Sequence, residues 1–227
     1  MTEQIVQLVQ LIGLGLAMLL PLANPLTAMT VLLSLEQNMP RADVHRQIRQ
    51  GAVYVTLIML VTYFVGTWIV HALGISIPGI RIAGGMIVAF IGFNMLFPAT
   101  PATSTPTTGA SLDPSKPRSV PNIAFVPLAL PLTAGPGTIA MIISASSKTA
   151  DLRTHYAEWV LLAGPVIIAL LLGALFYICL RSADRLVKFL GHDGIDAISR
   201  IMGFLLVCMG VQLVIDGVLD IVQHGAA

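Results

Sequence analysis

Charged residues are scarce in this chain of 227 residues, where Asp, Glu, Lys and Arg make up 10% of the sequence, against roughly 25% in soluble domains. No basic run alternates with aromatic residues, which argues against a nucleic-acid-binding surface. Hydrophobic residues reach 56%, and several apolar runs attain the ~20 residues that a helix needs to cross a bilayer. The sequence therefore predicts an all-α integral membrane protein.

Cysteine and histidine offer no pattern of a reactive site. Cys179 and Cys208 both lie in apolar runs, where free thiols behave as small hydrophobic side chains, and their spacing supports neither a disulfide nor a metal site. The five histidines are scattered, and neither an HExxH nor a GxSxG arrangement is present. We expect no enzymatic activity, no metal and no cofactor.

The amino-terminal stretch MTEQIVQLVQ contains no lysine or arginine. A cleaved secretory signal has a basic beginning, so we expect the first apolar run to remain as a membrane span. Six spans are predicted, at about residues 5–35, 52–73, 80–97, 122–147, 157–180 and 198–218.

The segment between the third and fourth spans is rich in Pro, Ser and Thr and is typical of a flexible linker. It divides the chain into a first three-helix repeat at 1–97, the linker at 98–121 and a second repeat at 122–227. Of the twelve Lys and Arg residues, nine fall on the side of the membrane that holds the linker. Because cytoplasmic loops carry the excess of these residues, we predict a cytoplasmic linker and both termini on the outer side.

Two matching stretches interrupt apolar runs in which an unbroken helix is otherwise expected. They read LPLANPLTAM at 20–29 and LPLTAGPGTIAM at 130–141. Proline lacks a backbone N–H and clashes with the preceding turn, so Pro21, Pro25 and Pro136 predict breaks in the first and fourth spans. Unpaired backbone groups are tolerated at membrane depth only against protein or a water-filled cavity, so the breaks predict an internal site.

Half-helices that begin near Leu26 and Gly137 present free N–H groups and a partial positive charge of ~0.5, while those that end near Leu22 and Leu132 present free carbonyls. Such a pair of helix ends suits the carboxylate and the ammonium of a zwitterion. The candidate substrate-binding residues are Asn24, Pro25, Thr27, Thr133, Gly135, Pro136, Gly137 and Thr138. Two alternatives stay open: proline kinks with no binding site, and an Asn24 that bonds only the local backbone.

The two halves share their features in the same order. The breaks match at an offset of about 110 residues, and Gly85 and Gly92 match Gly203 and Gly210 at about 118. Because each half has three spans, the second half is inverted relative to the first, as in many transporters. The alternative is chance recurrence of Gly and Pro in apolar sequence. These glycines also predict close packing between helices.

No Asp, Glu, Lys or Arg falls at the centre of a predicted span. A charge at that depth is costly and marks an ion path or a charged substrate, so we expect a net-neutral ligand. Arg81, His71 and Asp216 lie near span ends, where side chains extend to the interface. The coupling ion stays open between a proton and sodium, since carbonyls and Thr hydroxyls at the breaks can hold sodium without a charged residue.

Four longer strings carry a family resemblance: ANPLT at 23–27, GISIPGIRIAGGMIVAFIGF at 74–93, PLTAGPGTIAMIIS at 131–144 and ISRIMGFLLVCMG at 198–210. Nearly the whole chain outside the linker resembles the MarC family of bacterial inner-membrane proteins, also called the neutral amino acid transporter family. The resemblance implies six spans in two inverted halves within the inner membrane. Some members of the family carry small neutral amino acids such as glycine, alanine, serine and threonine, so the resemblance implies transport of such a substrate.

The family motifs fall on the two breaks. The Asn-Pro motif falls on Asn24 and Pro25, and the Gly-Pro-Gly motif falls on residues 135–137. Many members of the family have Asn-Pro-x-Gly, whereas the fourth position here is Thr27. A branched hydroxyl residue at this position narrows the site or changes its ligand.

Together these features predict a secondary transporter of small neutral amino acids, with a zwitterionic substrate, a lipid bilayer and a coupling ion as its partners. One alternative is an exporter of other small compounds, including antibiotics. The 6% aromatic content favours it less, because sites for such compounds are lined by apolar and aromatic side chains. The other alternative is a membrane protein with a purely structural role. Substrate identity, direction of transport and oligomeric state stay open.

Overall fold

The computed structural model describes residues 2–35, 39–97, 133–149 and 156–224. Within these ranges the regular elements are seven α-helices: α1 (Thr2–Ala23), α2 (Pro25–Leu35), α3 (Arg41–Ala72), α4 (Ile77–Leu96), α5 (Pro136–Ser147), α6 (Glu158–Arg181) and α7 (Ala183–His224). The predicted linker at 98–121 and the first part of the predicted fourth span, 122–132, lie outside the described residues.

Five helical stretches in the described part of the chain are long and apolar enough to cross a bilayer: Glu3–Leu33, Arg41–Ala72, Ile77–Leu96, Glu158–Arg181 and Gly194–Gln223. They correspond to the first, second, third, fifth and sixth predicted spans. Of the fourth, only α5 is described, and its 12 residues are too few to cross alone. The prediction of an all-helical, multi-span membrane protein is confirmed, with five candidate spans described.

Two helices extend beyond the predicted spans. α3 begins at Arg41, well before the predicted start at residue 52, because its polar first turns still bury an apolar stripe that includes Val44 and Ile48. α7 begins and ends outside the predicted range of 198–218. It is interrupted at Gly191, where φ is 68°, a backbone conformation that glycine adopts without steric cost.

The first break is narrower than the sequence predicts. Pro21 lies inside α1, and the helix is interrupted at the single residue Asn24, whose φ is 32°. Two backbone hydrogen bonds reach the break, from the N–H of Asn24 to the carbonyl of Leu20 (3.2 Å) and from Ala28 to Asn24 (3.4 Å). The break falls at this residue because it precedes Pro25, whose ring disfavours helical geometry in the residue before it.

α4 and α7 form an antiparallel pair whose backbones nearly touch. A Cβ atom added at Gly85 would lie 2.5 Å from the carbonyl oxygen of Gly210, and one added at Gly92 would lie 2.5 Å from that of Gly203. The predicted role of these four glycines in close helix packing is therefore confirmed. Side chains any larger than hydrogen would force the two helices apart.

The main core lies among α1, α2, α3, α5 and α6. Its largest fully buried side chains include Phe176, Leu180, Leu32 and Val55. α5 lies inside this bundle, and a Cβ at Gly84 of α4 would collide with its Ala140. The second break, at the start of α5, is thereby held against α4, whereas much of α1 has its apolar side chains exposed.

Candidate functional site

Asn24 joins the first break to α4. Its side-chain oxygen accepts a hydrogen bond from the N–H of Thr27 at 3.3 Å, and its amide nitrogen donates to the sulfur of Met95 at 3.3 Å. The first contact caps the amino-terminal end of α2, a role for which asparagine is well suited. Both ends of this buried side chain therefore have partners within the protein.

The second break is closed by a short internal hydrogen bond. α5 begins at Pro136 with Gly135 as the residue before it, and the N–H of Ile139 donates to the Gly135 carbonyl at 3.0 Å. The Thr138 hydroxyl donates to the carbonyl of Thr133 at 2.9 Å. Both threonines are buried, so this bond satisfies polar groups that neither lipid nor water reaches.

The fold brings the two breaks together. A Cβ atom added at Gly137 would collide with Val88 of α4 and lie 3.6 Å from the Leu22 side chain, at the end of α1. Most of the eight candidate residues are buried: Asn24, Thr133, Gly135, Gly137 and Thr138. Pro25 and Thr27 are half-buried, and Pro136 is exposed. The helix ends thus meet inside the bundle, with apolar side chains between them.

A cavity of about 490 Å³ lies beside the breaks, among α1, α3, α5, α6 and α7. Leu19 and Met141, both close in sequence to a break, mark one end of its lining, and Lys148 and Asp216 mark the other. Most of the lining between them is apolar, and it includes Leu11, Leu14, Met18, Ile168 and Met209. None of the eight candidate residues lines this cavity.

A second pocket, of about 440 Å³, is lined mainly by polar groups from α4, α5 and α7. It shares Lys148 and Asp216 with the apolar cavity. The two spaces are therefore adjacent, and two side chains of opposite charge stand at their junction. In the described part of the chain, no group of three or more His, Cys, Asp or Glu side chains is placed to hold a metal ion.

Arg81 of α4 turns into the protein, contrary to the expectation that its side chain extends to the interface. Its side chain is 6% exposed, and Nη1 donates to Asp220 Oδ2 at 2.9 Å. Nε donates to the Ser144 hydroxyl at 2.6 Å, and Nη2 to that of Ser147 at 3.5 Å. A guanidinium satisfies several acceptors at fixed angles, and here it ties α4 to both α5 and α7.

The sequence contains residues that could have indicated this interaction. They were missed because a position near a span end suggested that Arg81 extends to the interface. Ser144 and Ser147 are three residues apart, so they lie on one face of α5, and Asp220 lies in the last turns of α7. An arginine inside an apolar helix is costly unless it has partners. Hydroxyls and an acid at the same ends of neighbouring spans supply those partners.

Residues 9–222 match the family described as MarC family integral membrane protein. A protein from Salmonella typhimurium named UPF0056 inner membrane protein MarC is 51% identical over 212 residues, which cover 93% of this chain and 96% of that relative. Proteins of the same name from Salmonella typhi and Escherichia coli O1:K1 match with the same identity and coverage. No solved structure matches the chain.

Proposed function

Because the chain belongs to the MarC family of integral membrane proteins, we propose that this multi-pass inner-membrane protein is a secondary transporter of small neutral amino acids. The substrate class is that of glycine, alanine, serine and threonine. The observation that carries the proposal is the meeting of two helix ends, at Asn24–Pro25 and Gly135–Pro136, inside the bundle. Interrupted helices that meet inside a membrane protein are a common way of building a site for small zwitterions.

The charges of the described spans also favour a net-neutral substrate. The buried Arg81 is compensated by Asp220, and no charged residue is among the candidates at the breaks. A charged substrate would therefore meet no counter-ion at the breaks, whereas a zwitterion carries its own. The coupling ion of this proposal is a proton or sodium.

We propose six spans in two inverted halves, with both termini in the periplasm, and the glycine contacts support the inverted relation of α4 and α7. Sequence matching pairs Gly85 with Gly203 and Gly92 with Gly210, whereas in space Gly85 meets Gly210 and Gly92 meets Gly203. This exchange of partners is what a two-fold axis between α4 and α7 produces, because a contact across such an axis is isologous.

The apolar cavity favours a second candidate function, export of larger and more apolar small compounds. Its volume of about 490 Å³ falls in the ~300–1,000 Å³ range of sites for drug-sized molecules. Glycine or alanine would leave most of this space unfilled. The first candidate uses the breaks, and the second uses the cavity beside them.

The decisive test is the melting temperature of the detergent-purified protein in a panel of free amino acids. Binding to the native state stabilises it by about 2.7 kcal/mol at a ligand concentration of 100 Kd. We expect the melting temperature to rise with glycine, alanine, serine or threonine and to stay unchanged with lysine and glutamate. If none of these amino acids stabilises the protein or enters proteoliposomes that contain it, the first candidate is wrong and the second takes its place.

Two substitutions at Asn24 separate ligand contact from capping. Asn24→Ala removes the cap and places alanine at positive φ, for a combined loss of roughly 1–3 kcal/mol of stability. Asn24→Gly also removes the side chain but suits the backbone, so it should lose less stability. If Asn24 contacts substrate, as we expect, both variants lose amino acid transport to the same extent when equal amounts of folded protein are reconstituted. Wild-type transport by Asn24→Gly would remove this side chain from the site.

A further inference from the structure

The junction between the apolar cavity and the polar pocket carries one positive and one negative side chain. Lys148 follows the last turn of α5 and Asp216 lies in α7, and both line both spaces. On one side of them lie apolar side chains, and on the other lie Arg81, Ser147 and Asp220. Both charged side chains therefore border the apolar cavity as well as the polar pocket.

The other two charges of the polar pocket are already engaged with each other. The Arg81 guanidinium has an acceptor at Nη1, Nε and Nη2, and its acid partner Asp220 lies at 2.9 Å. Lys148, by contrast, has no acidic oxygen within 4.0 Å in the part of the chain that the structure describes. The charges that remain to meet a ligand are therefore those of Lys148 and Asp216.

Asp216 has one carboxylate oxygen bonded within α7. Its Oδ1 accepts a hydrogen bond from the Gln212 amide at 2.8 Å, one turn earlier on α7. Gln212 itself lines the apolar cavity. The hydrogen bond occupies Oδ1 and leaves the second carboxylate oxygen able to accept from a cation.

We propose that the junction and the cavity together form a binding site for an amphipathic zwitterion, an α-amino acid with a sizeable apolar side chain. Lys148 meets the carboxylate, Asp216 meets the ammonium, and the side chain enters the apolar cavity. A simple cation or anion would pair with one of the two residues and leave the other unpaired. An apolar side chain gains stability from burial, at roughly 25 cal/mol per Å².

This site lies apart from the eight residues at the breaks, although the cavity ends at Leu19 and Met141, close to both of them. The inference rests on the proposed function in one respect, that the protein handles net-neutral amino acids. The inference differs from the proposed function because it places a larger amino acid in the cavity. Glycine has no side chain that could pack against the apolar lining.

The test measures binding of leucine, leucinamide, N-acetyl-leucine and glycine to the purified protein, from the rise in melting temperature with concentration. Leucinamide keeps only the positive charge and N-acetyl-leucine only the negative one. We expect the wild type to bind leucine more tightly than either derivative. Lys148→Gln should weaken leucine binding about tenfold, because one charge-assisted hydrogen bond is lost. The same variant should bind leucinamide more tightly than the wild type does. Asp216→Asn should weaken leucine binding by a similar factor and should bind N-acetyl-leucine more tightly than the wild type does.

Matched controls lie in the amino-terminal part of α7, and neither lines either pocket. Lys188→Gln and Asp196→Asn remove exposed charges of the same types and should leave all four affinities unchanged. Equal leucine binding by the wild type, Lys148→Gln and Asp216→Asn would overturn the inference. Binding of glycine without leucine would overturn it too, and would leave the proposed function standing. Binding of neither leucine nor any of glycine, alanine, serine and threonine would overturn both.

Discussion

Replacing Arg81 with methionine is expected to lower the stability of the protein by about 2–4 kcal/mol, since removing the buried member of an ion pair takes the guanidinium away from the carboxylate that remains. Asp220 keeps 28% of its side chain exposed, and partial hydration holds the loss below the largest values for such pairs. The Ser144 hydroxyl, a 2.6 Å partner of Arg81, also loses a donor. The effect should be visible as a lower melting temperature and a lower yield of folded protein.

A double variant distinguishes the loss of the Arg81–Asp220 ion pair from the effect of the Asp220 charge that remains after Arg81 is replaced. Arg81→Met with Asp220→Asn removes both charges, and replacing a whole buried pair is often close to neutral. We therefore expect the double variant to recover more than half of the stability that Arg81→Met loses. Arg200→Met, which removes an exposed arginine of α7, is the control and should have little effect. A double variant no more stable than Arg81→Met would show that the hydrogen bonds of the guanidinium to Ser144 and Ser147, rather than the charge pair, stabilise this end of the bundle.

The second large effect is expected at the α4–α7 contact, where Gly85→Ala and Gly92→Ala should each lose about 1–3 kcal/mol from overpacking. The added methyl group would stand 2.5 Å from a carbonyl oxygen of the opposing helix in both cases. Backbone atoms cannot rotate away as a flexible side chain does, so the helices must separate along their length. The double variant should fold poorly, with a melting temperature below that of either single variant.

Gly13 supplies the matched control for these substitutions. It lies inside α1, and a Cβ added there meets nothing within 4 Å. Gly13→Ala should therefore be neutral or stabilising, since alanine favours a helix interior by up to about 1 kcal/mol over glycine. If Gly85→Ala and Gly13→Ala have the same melting temperature, the close approach of α4 and α7 is wrong.

The positions of the helices followed from the sequence because they depend on local properties. Long apolar runs gave five of the six spans within the described residues, and α5 begins at Pro136 because proline suits the first turn of a helix. Asn24 became the single point of interruption because it precedes proline. The predicted half-helix starts near Leu26 and Gly137 each lie one residue from the observed starts of α2 and α5.

The cavity and the interior arginine did not follow, because both depend on which helix faces meet. A helix in lipid is apolar on all sides, so the usual alternation of polar and apolar faces that reveals a buried side is absent. Nothing near Arg81 in sequence indicates whether its side chain points towards lipid headgroups or towards Ser144. The cavity likewise arises from the spacing of α1, α3, α5, α6 and α7, which no single one of these segments determines. The roles of the eight residues at the breaks stay a prediction.

The glycine contact between α4 and α7 has a consequence for how the chain is made. Its two helices lie far apart in sequence, since Gly85 meets Gly210 and Gly92 meets Gly203. At a synthesis rate of ~5–20 residues per second, the ribosome needs roughly ten seconds to reach the second helix after completing the first. During that interval the face of α4 that carries Gly85 and Gly92 has no α7 to pack against. The close contact of α4 can therefore form only after α7 has been made and has entered the membrane, so the packing of this face is a late step in assembly.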